Sequence, residues 1–421
     1  MKKYVILGYI YGIGGWQTYI ANKLKLMKEK GWDVYAISNA LSEMKADMIP
    51  FLEQYKDNKI IAFYFAYVSE LKKKLLDKVC IDVKEMINYS DGDEVIIEAT
   101  NLDLFMWAEY LAQSMNGRSI CVEASNRFAK YCNETLDFFH FKVQRGELLF
   151  MSRTGLHEVF DGYIEYPELD NNGVGALTQE EYADDGKDYR TMLKTDEYDY
   201  VIGTLGWLDK GYYKILIDEV IKFCNAHTDK KIQFIVIGNS LNGNVEKEYE
   251  QKVTDIPNLK LSLMGAIAPV PSNLIKLFDV SVASYGCALI TDKLGVKTIS
   301  MHDPENIPLG ILSYTIVKTP FNARINFDKT IYDMLSDILV DNICDKMERK
   351  PFPIADVEQQ KKTHLERIDA LPKKIEHYDV LKLKFTNATL KHKIKLMFYR
   401  LFGIKVTIKF YSLYRKIKDG R

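Results

Sequence analysis

The sequence predicts an α/β protein: two tandem Rossmann-like domains facing a cleft, with a helical and basic C-terminal tail. Three observations predict it. Short, continuously apolar runs alternate with helix-period segments through the first half of the 421 residues, and such runs suit strands of a sheet covered on both faces. A polar, acidic stretch beginning near Pro167 interrupts the alternation, which then restarts at Tyr200. Several apolar runs end in glycines that lead into a helical pattern, the grammar of doubly wound sheets.

In chain order, the strands expected in the first half are residues 3–7, 33–38, 60–65, 94–99, 119–123 and 148–151. A helix over 15–30 places Ile20, Leu24 and Met27 on one side, and Gly31 stands where a left-handed C-cap belongs. After the acidic connection come strands at 200–204, 231–237, 259–264, 279–283, 298–301 and 313–317. A helix is expected over 212–224 and a shorter one over 286–294. From Asn326 the pattern turns helical, at 329–346 and 354–370, punctuated by Pro351, Pro353 and Pro372. The domains are accordingly expected at 1–185 (acceptor side), 195–350 (donor side) and 351–421 (helical return segment and basic amphipathic tail).

Charge is nearly balanced, with 57 Lys and Arg against 58 Asp and Glu, but it is unevenly placed. Residues 381–421 hold 12 basic residues and one acid, Asp419, so the rest of the chain is net −12. An acidic body excludes a whole-surface nucleic-acid binder. Within the tail, Leu390, Ile394, Met397, Phe398 and Leu401 fall on one helical face, flanked by Lys391, Lys393, Lys395 and Arg400. That is the composition of an interfacial amphipathic helix, and it predicts contact of 390–421 with the inner leaflet of a membrane by a cytoplasmic protein. No run of about 18 apolar residues spans a bilayer. The six cysteines form no CxxC pair, so they offer neither a zinc ribbon nor a thioredoxin-type site. The seven histidines show no metal-binding spacing; no metal and no cofactor is expected.

In this fold ligands meet the loops at the carboxyl ends of strands. The loop from Gly8 to Ile20 carries Gly14 and Gly15 before a helix, where backbone amides favour an anion. It matches neither the dinucleotide fingerprint nor the Walker pattern. The next such loop contains Gly206, Trp207 and Lys210, with the ammonium placed to reach a diphosphate. Gly238 and Asn239 end another strand. Ser284, Tyr285 and Gly286 open a helix, and Glu305 and Asn306 follow the next strand. On the acceptor side, Glu98, Thr100, Glu123, Ser125 and Arg127 stand at strand ends, where a carboxylate binds hydroxyls or takes a proton. Arg153, Thr154 and His157 are further candidates. Asp91-Gly92-Asp93 precedes a strand, the wrong end for a metal site, and reads as a turn.

The order of these loops resembles the glycosyltransferases of the two-Rossmann B-type fold, over about residues 1–317. Gly14-Gly15 is similar to their Gly-Gly loop. Gly206-Trp207-Leu208-Asp209-Lys210-Gly211 is similar to the G-R-L-x-x-K-G element of the retaining, family-four-like members. Ile237-Gly238-Asn239-Ser240 and Gly295-Val296-Lys297-Thr298-Ile299 follow in the family's order, and the basic aromatic tail looks like that of peripheral membrane members. The resemblance implies a retaining, metal-independent transfer of a sugar from a nucleotide sugar to a glycan or lipid-linked acceptor in polysaccharide assembly, capsule included. Lys210 would neutralise the leaving diphosphate, with Glu98 and Glu123 on the acceptor side. Two departures stand out: Trp207 replaces the family's arginine one residue closer to the lysine, and the family's paired glutamates are absent from VASYGCALITDKLG, where Asp292 is the one carboxylate. The same fold also accommodates a sugar-nucleotide epimerase or a nucleotide-binding scaffold without turnover. An NAD-dependent oxidoreductase lacks its glycine spacing and its strand-end acid.

Overall fold

The computed structural model describes residues 1–39, 48–123, 132–151, 159–160, 172–177, 184–240, 243–302, 305–316, 328–352, 356–383, 394, 396–403, 406 and 409–410. The chain divides into two compact units, Met1–Thr178 with Asp356–Arg421, and Gln179–Ala355. The return segment expected as a separate third part thus groups, from Asp356 onward, with the first unit.

The first unit is built on a five-stranded parallel sheet: β1 (Lys2–Gly8), β2 (Asp33–Ser38), β3 (Glu94–Ala99), β4 (Arg118–Glu123) and β5 (Leu148–Phe150), in the order β2-β1-β3-β4-β5. The helices α1 (Gly15–Glu29), α2 (Lys73–Met86), α3 (Leu102–Ser114) and α4 (Asn133–Gln144) alternate with the strands. Both faces are covered, which explains the unbroken apolar runs. Tyr4, Ile6, Ile96, Ile120 and Val122 pack with Ile20, Leu24 and Met27 of α1. Val5, Leu7, Ile97 and Cys121 pack with Val79 of α2, Phe105 and Trp107 of α3 and Phe138 of α4.

The second unit has six strands: β6 (Tyr200–Leu205), β7 (Ile232–Ile237), β8 (Leu259–Gly265), β9 (Val280–Ala283), β10 (Lys297–His302) and β11 (Ile307–Ile311), ordered β11-β10-β9-β6-β7-β8. All pair in parallel except β11, which is antiparallel to β10. Its longer helices are α5 (Tyr212–Ala226), α6 (Asn244–Val253), α7 (Tyr285–Lys293) and α8 (Ile331–Leu339). Leu216 and Val220 of α5 and Leu335 and Ile338 of α8 cover one face, with Ile202, Phe234, Val280 and Ile299 beneath them.

Three elements differ from the sequence reading. Residues 60–65 are not a strand; Lys59 makes an isolated bridge to Ser38 and Ala62–Phe65 is a helical turn. The apolar run is there because Ile60, Ala62 and Phe63 are core residues, and a run that short does not distinguish strand from buried turn. The last strand is Ile307–Ile311 rather than 313–317, since Ser313, at φ +62°, turns the chain instead. The helix over 329–346 ends at Leu339, and a left-handed Asn342 (φ +52°) separates it from a short 3-10 turn at Ile343–Lys346. The helix expected over 354–370 is α9 (Val357–Asp369).

The return segment is fastened to the first unit by buried charge. Glu109 of α3 accepts from Lys142 Nζ of α4 at 2.6 Å and from the backbone N–H of Tyr378 at 2.6 Å. Burial pushes its carboxyl up, but His377, Lys142 and Ser119 outweigh that and hold it down at about 2. Arg145 reaches Glu376 at 2.7 Å and the Lys374 carbonyl at 2.8 Å, and Arg118 donates to the Pro372 carbonyl.

Candidate functional site

The order of the second sheet fixes where a ligand belongs. The chain leaves β6 toward β7 on one side and later returns to β9 on the other, so the carboxyl ends of β6 and β9 flank the topological switch point. Gly206 directly follows β6 and Ser284 directly follows β9. Lys210, in the turn after β6, donates from Nζ to Ser284 Oγ at 2.6 Å across this point.

Two helices start at this point. Gly211 is the N-cap of α5 and Ser284 that of α7; neither provides a side-chain cap bond, and neither helix has an acid in its first turn. Lys210 thus stands beside two helix N-termini. Each carries a partial positive charge, so the group is arranged for an anion. Tyr285 adopts φ +50°, a left-handed conformation that costs a non-glycine residue about 1 kcal/mol or more, and its ring lies 5.1 Å from Lys210 Nζ. Gly286 has open space where a Cβ would stand, so the backbone of this turn is approachable.

Glycines bring the loops together. Gly206 and Gly238 have φ +141° and +140°, and a Cβ on Gly238 would stand 1.9 Å from the Gly206 carbonyl oxygen. Asn239 accepts from the Leu208 N–H through its carbonyl at 3.3 Å, while Ser240 is tied to Glu246 of α6. Trp207 is half-buried in the same turn.

Sequence reasoning missed three side chains beneath this site. Tyr212 and Tyr213, fully buried, stack with ring centroids 4.4 Å apart, and the Tyr213 hydroxyl lies 3.0 Å from a Cβ built on Gly206. Cys287 lies 3.6 Å from that same point; burial pushes its thiol up, partly offset by Lys210. The signal available was the apolar-plus-hydroxyl pair directly after Gly211. Asn306 packs its amide against Gly211, where a Cβ would stand 2.4 Å from Oδ1. Glu305 points outward, exposed, with His302 Nδ1 at 3.7 Å.

In the first unit, Gly14 is the extended N-cap of α1, and α1 likewise has no side-chain cap and no first-turn acid. Gly15 has open space around its Cβ position, whereas Gly14 would meet Gln17. Thr100 closes the turn after β3 by donating to the Leu7 carbonyl at 3.2 Å.

The two carboxylates expected on an acceptor side are placed otherwise than the sequence suggests. Glu98 is fully buried. Tyr4 and Tyr19 donate to its two oxygens, the latter at 2.7 Å, and Lys23 Nζ lies 3.9 Å away. Lys23 in turn donates to Nδ1 of buried His364 at 3.1 Å, and His364 Nε2 donates to the Gly175 carbonyl at 2.7 Å. Burial lowers Lys23 against the raising effect of Glu98, and burial together with Lys23 pushes His364 down to about 3. Burial and Glu98 raise both tyrosines well above their usual range. This closed network binds α1 to β3 and α9, and it leaves Glu98 no face for a substrate. Glu123, also buried, accepts from the Leu102 N–H at 3.1 Å and so satisfies the N-terminus of α3. Ser125, Arg127, Arg153, Thr154 and His157 lie outside the described residues. Asp93 takes the chain's terminal ammonium at 2.6 Å and the Ser90 N–H at 2.9 Å, and Gly92 has φ +93°, so Asp91-Gly92-Asp93 is a turn. Among the described residues no group of three or more His, Cys, Asp or Glu is arranged to hold a metal ion, and no helix is long and apolar enough to cross a membrane.

Two doubly wound units in tandem, each with its glycine turns at the carboxyl ends of parallel strands, make a two-Rossmann B-type fold. Solved structures share that fold. The HepE protein of Anabaena, in complex with UDP and glucose, is similar with a TM-score of 0.56 at 14% identity, over 88% of this chain and 100% of that one. A glycosyltransferase from Rickettsia africae is similar with a TM-score of 0.52 at 11% identity, over 88% of this chain and 100% of that one. MnaA of S. aureus, solved with UDP, gives 0.52 at 12% identity, over 89% of this chain and 99% of that one. No family model and no curated protein matches the sequence.

Proposed function

We propose that the protein is a glycosyltransferase that moves a sugar from a nucleoside diphosphate sugar to a glycan or lipid-linked acceptor, in cytoplasmic assembly of a polysaccharide such as a capsule. The observation that carries this reading is the Lys210–Ser284 bond across the switch point between β6 and β9. Lys210 and the first amides of α7, at Tyr285 and Gly286, take the diphosphate. As the bond from the anomeric carbon to the phosphate oxygen breaks, the departing diphosphate keeps the electron pair, and these fixed positive groups stabilise the growing charge. Tyr285 shields the lysine on one side. Retention of configuration and independence from metal follow from the resemblance of the Gly206–Gly211 element to retaining members. The UDP bound in HepE and in MnaA makes uridine diphosphate the first nucleotide to test.

A second reading, nucleotide binding without turnover, has one specific observation in its favour. Asp292, the one carboxylate in the stretch where the resemblance calls for two glutamates, is already committed. Its Oδ2 accepts from Ser313 Oγ at 2.6 Å and its Oδ1 faces Arg349 at 3.4 Å. A third reading, an epimerase, which inverts a stereocentre of the donor sugar without an acceptor, is not separated from the first by Lys210 and is told apart by its product.

Calorimetry with UDP, GDP, ADP and CMP tests the site. One nucleoside diphosphate binds at micromolar affinity, and Lys210→Ala weakens it at least about tenfold, or 1.4 kcal/mol. Absence of binding, or binding indifferent to Lys210, overturns the site. Product analysis on the matching sugar donor then separates transfer, epimerisation and binding alone.

A further inference from the structure

The helical turns at 394 and 396–403 carry apolar residues on two opposite faces. One face is used: Leu396 and Tyr399 are buried in the core of the first unit, and Arg400 donates to the Glu70 carbonyl at 2.6 Å. At 100° per residue, Ile394, Met397 and Leu401 point the other way, and they are 45%, 50% and 66% exposed. Gly403 has φ +69°, and the rings of Phe398 and Phe410 stack with centroids 4.5 Å apart. Phe398 also contacts Phe402, at 5.5 Å. Phe402, Val406 and Phe410 are each about half exposed. The result is a continuous apolar and aromatic patch on a helix whose other side is already anchored.

We propose that this open face, centred on Met397 and Leu401, is the surface by which the protein lies on an anionic lipid bilayer. Charge argues for this occupant. The segment 381–421 has 12 basic residues against one acid, on a chain otherwise net negative. A protein interface also buries aromatic residues and Met, but here Lys391, Lys393, Lys395 and Arg400 flank the apolar positions in sequence, the arrangement of an interfacial helix. An anionic bilayer takes both, with apolar side chains among the acyl chains and lysines at the headgroups. Docking of Leu396 and Tyr399 has already ordered the helix, so little conformational entropy remains to be lost on binding. The surface belongs to the peripheral location that the proposed function implies, but it does not depend on the donor site, and nucleotide affinity is measured separately.

The full-length protein is sedimented with phosphatidylcholine vesicles, with and without phosphatidylglycerol, at low and high salt. It is expected to bind the phosphatidylglycerol vesicles, to bind less at high salt, and to leave phosphatidylcholine alone unbound. The double variant Met397→Glu/Leu401→Glu is expected to bind at least about tenfold less, with unchanged circular dichroism and unchanged nucleotide affinity. A Leu401→Cys variant carrying an environment-sensitive fluorophore shifts to the blue on the same vesicles, which keeps the proposal testable if the double variant does not fold. Failure to bind phosphatidylglycerol vesicles overturns the proposal. So does binding that the double variant leaves intact, or an unshifted fluorophore. Self-association that the double variant abolishes, without vesicle binding, assigns the face to a second copy.

Discussion

Replacing Gly238 by alanine tests whether the switch point is built on direct backbone contact. Two costs follow from the geometry. Gly238 has φ +140°, a region essentially closed to residues with a Cβ, worth about 1–3 kcal/mol. The added Cβ would also stand 1.9 Å from the Gly206 carbonyl oxygen, roughly 1.5 Å inside ordinary contact, and forcing such overpacking costs about 1–3 kcal/mol more. The obstacle is backbone, so no side chain can swing aside. Relief means separating the loops after β6 and β7, which are also joined by the Gly206 N–H donating to the Ile237 carbonyl at 2.9 Å. A shift of that size would break the 2.6 Å bond from Lys210 to Ser284.

Gly238→Ala is therefore expected to destabilise the second unit by about 2–6 kcal/mol and to weaken nucleoside diphosphate binding by at least about tenfold. Hydrogen exchange across β6 and β7 reads the first effect in the right unit, since a two-unit chain need not melt in one step. Calorimetry reads the second. Gly286→Ala is the control, because nothing lies within 4 Å of its Cβ position; its exchange protection should be unchanged. If Gly238→Ala keeps both protection and affinity, the close approach of the two loops does not hold the site, and the reasoning fails.

Two further outcomes concern the first unit. His364 is pushed down to about 3 in the folded protein, against an ordinary value of about 6.5 once unfolded. The unfolded chain binds the proton more readily, so this stabilisation is whole above about pH 6.5 and falls as pH drops, by about 2 kcal/mol at pH 5. Urea midpoints against pH should show that slope, and His364→Gln, facing the same Lys23, Glu98 and Tyr19, should flatten it. Glu109→Ala removes one of the two carboxylates on buried Lys142 and the acceptor for the Tyr378 N–H. We expect a loss of about 3 kcal/mol and faster proteolysis between residues 372 and 379.

Strand runs, helix periods and glycine turns were legible because they are local. The apolar stretches of β1, β3, β6 and β7 read correctly since burial on both faces leaves no polar alternation to confuse them. The segment 60–65 failed because a short apolar run is compatible with strand or turn, and the tertiary core decided. Gly206, Lys210 and Ser284 each lie beside a strand end that sequence can place, so their meeting follows once the strand order is known. Tyr213 and Cys287 were invisible, because what matters is their approach to Gly206, which depends on how α5 and α7 cross the sheet. The tail read as amphipathic, but its second apolar face, Leu396 and Tyr399, could be recognised as docked only from the packing.

Glu98 shows what a strand-end carboxylate leaves open. Its position in sequence is equally that of a base beside a ligand and that of a buried anchor. The difference lies in partners far away along the chain: Tyr4, Tyr19 and Lys23 on one side of the sheet, and His364 beyond Lys23. The structure closes all of them around the carboxylate, and a group with no exposed atom cannot exchange a proton with an acceptor hydroxyl. Glu98→Gln keeps the shape and one acceptor oxygen but strands the Lys23 ammonium in a buried site. We expect it to cost several kcal/mol, about 3–5 by the rule for halving a buried pair, read by urea unfolding. Turnover per folded molecule, on whichever donor the nucleotide panel names, should stay within about twofold, far from the hundredfold loss typical of a missing general base. A stable Glu98→Gln protein that binds donor normally and turns over a hundredfold more slowly would restore Glu98 to the reaction and show that the network opens during catalysis.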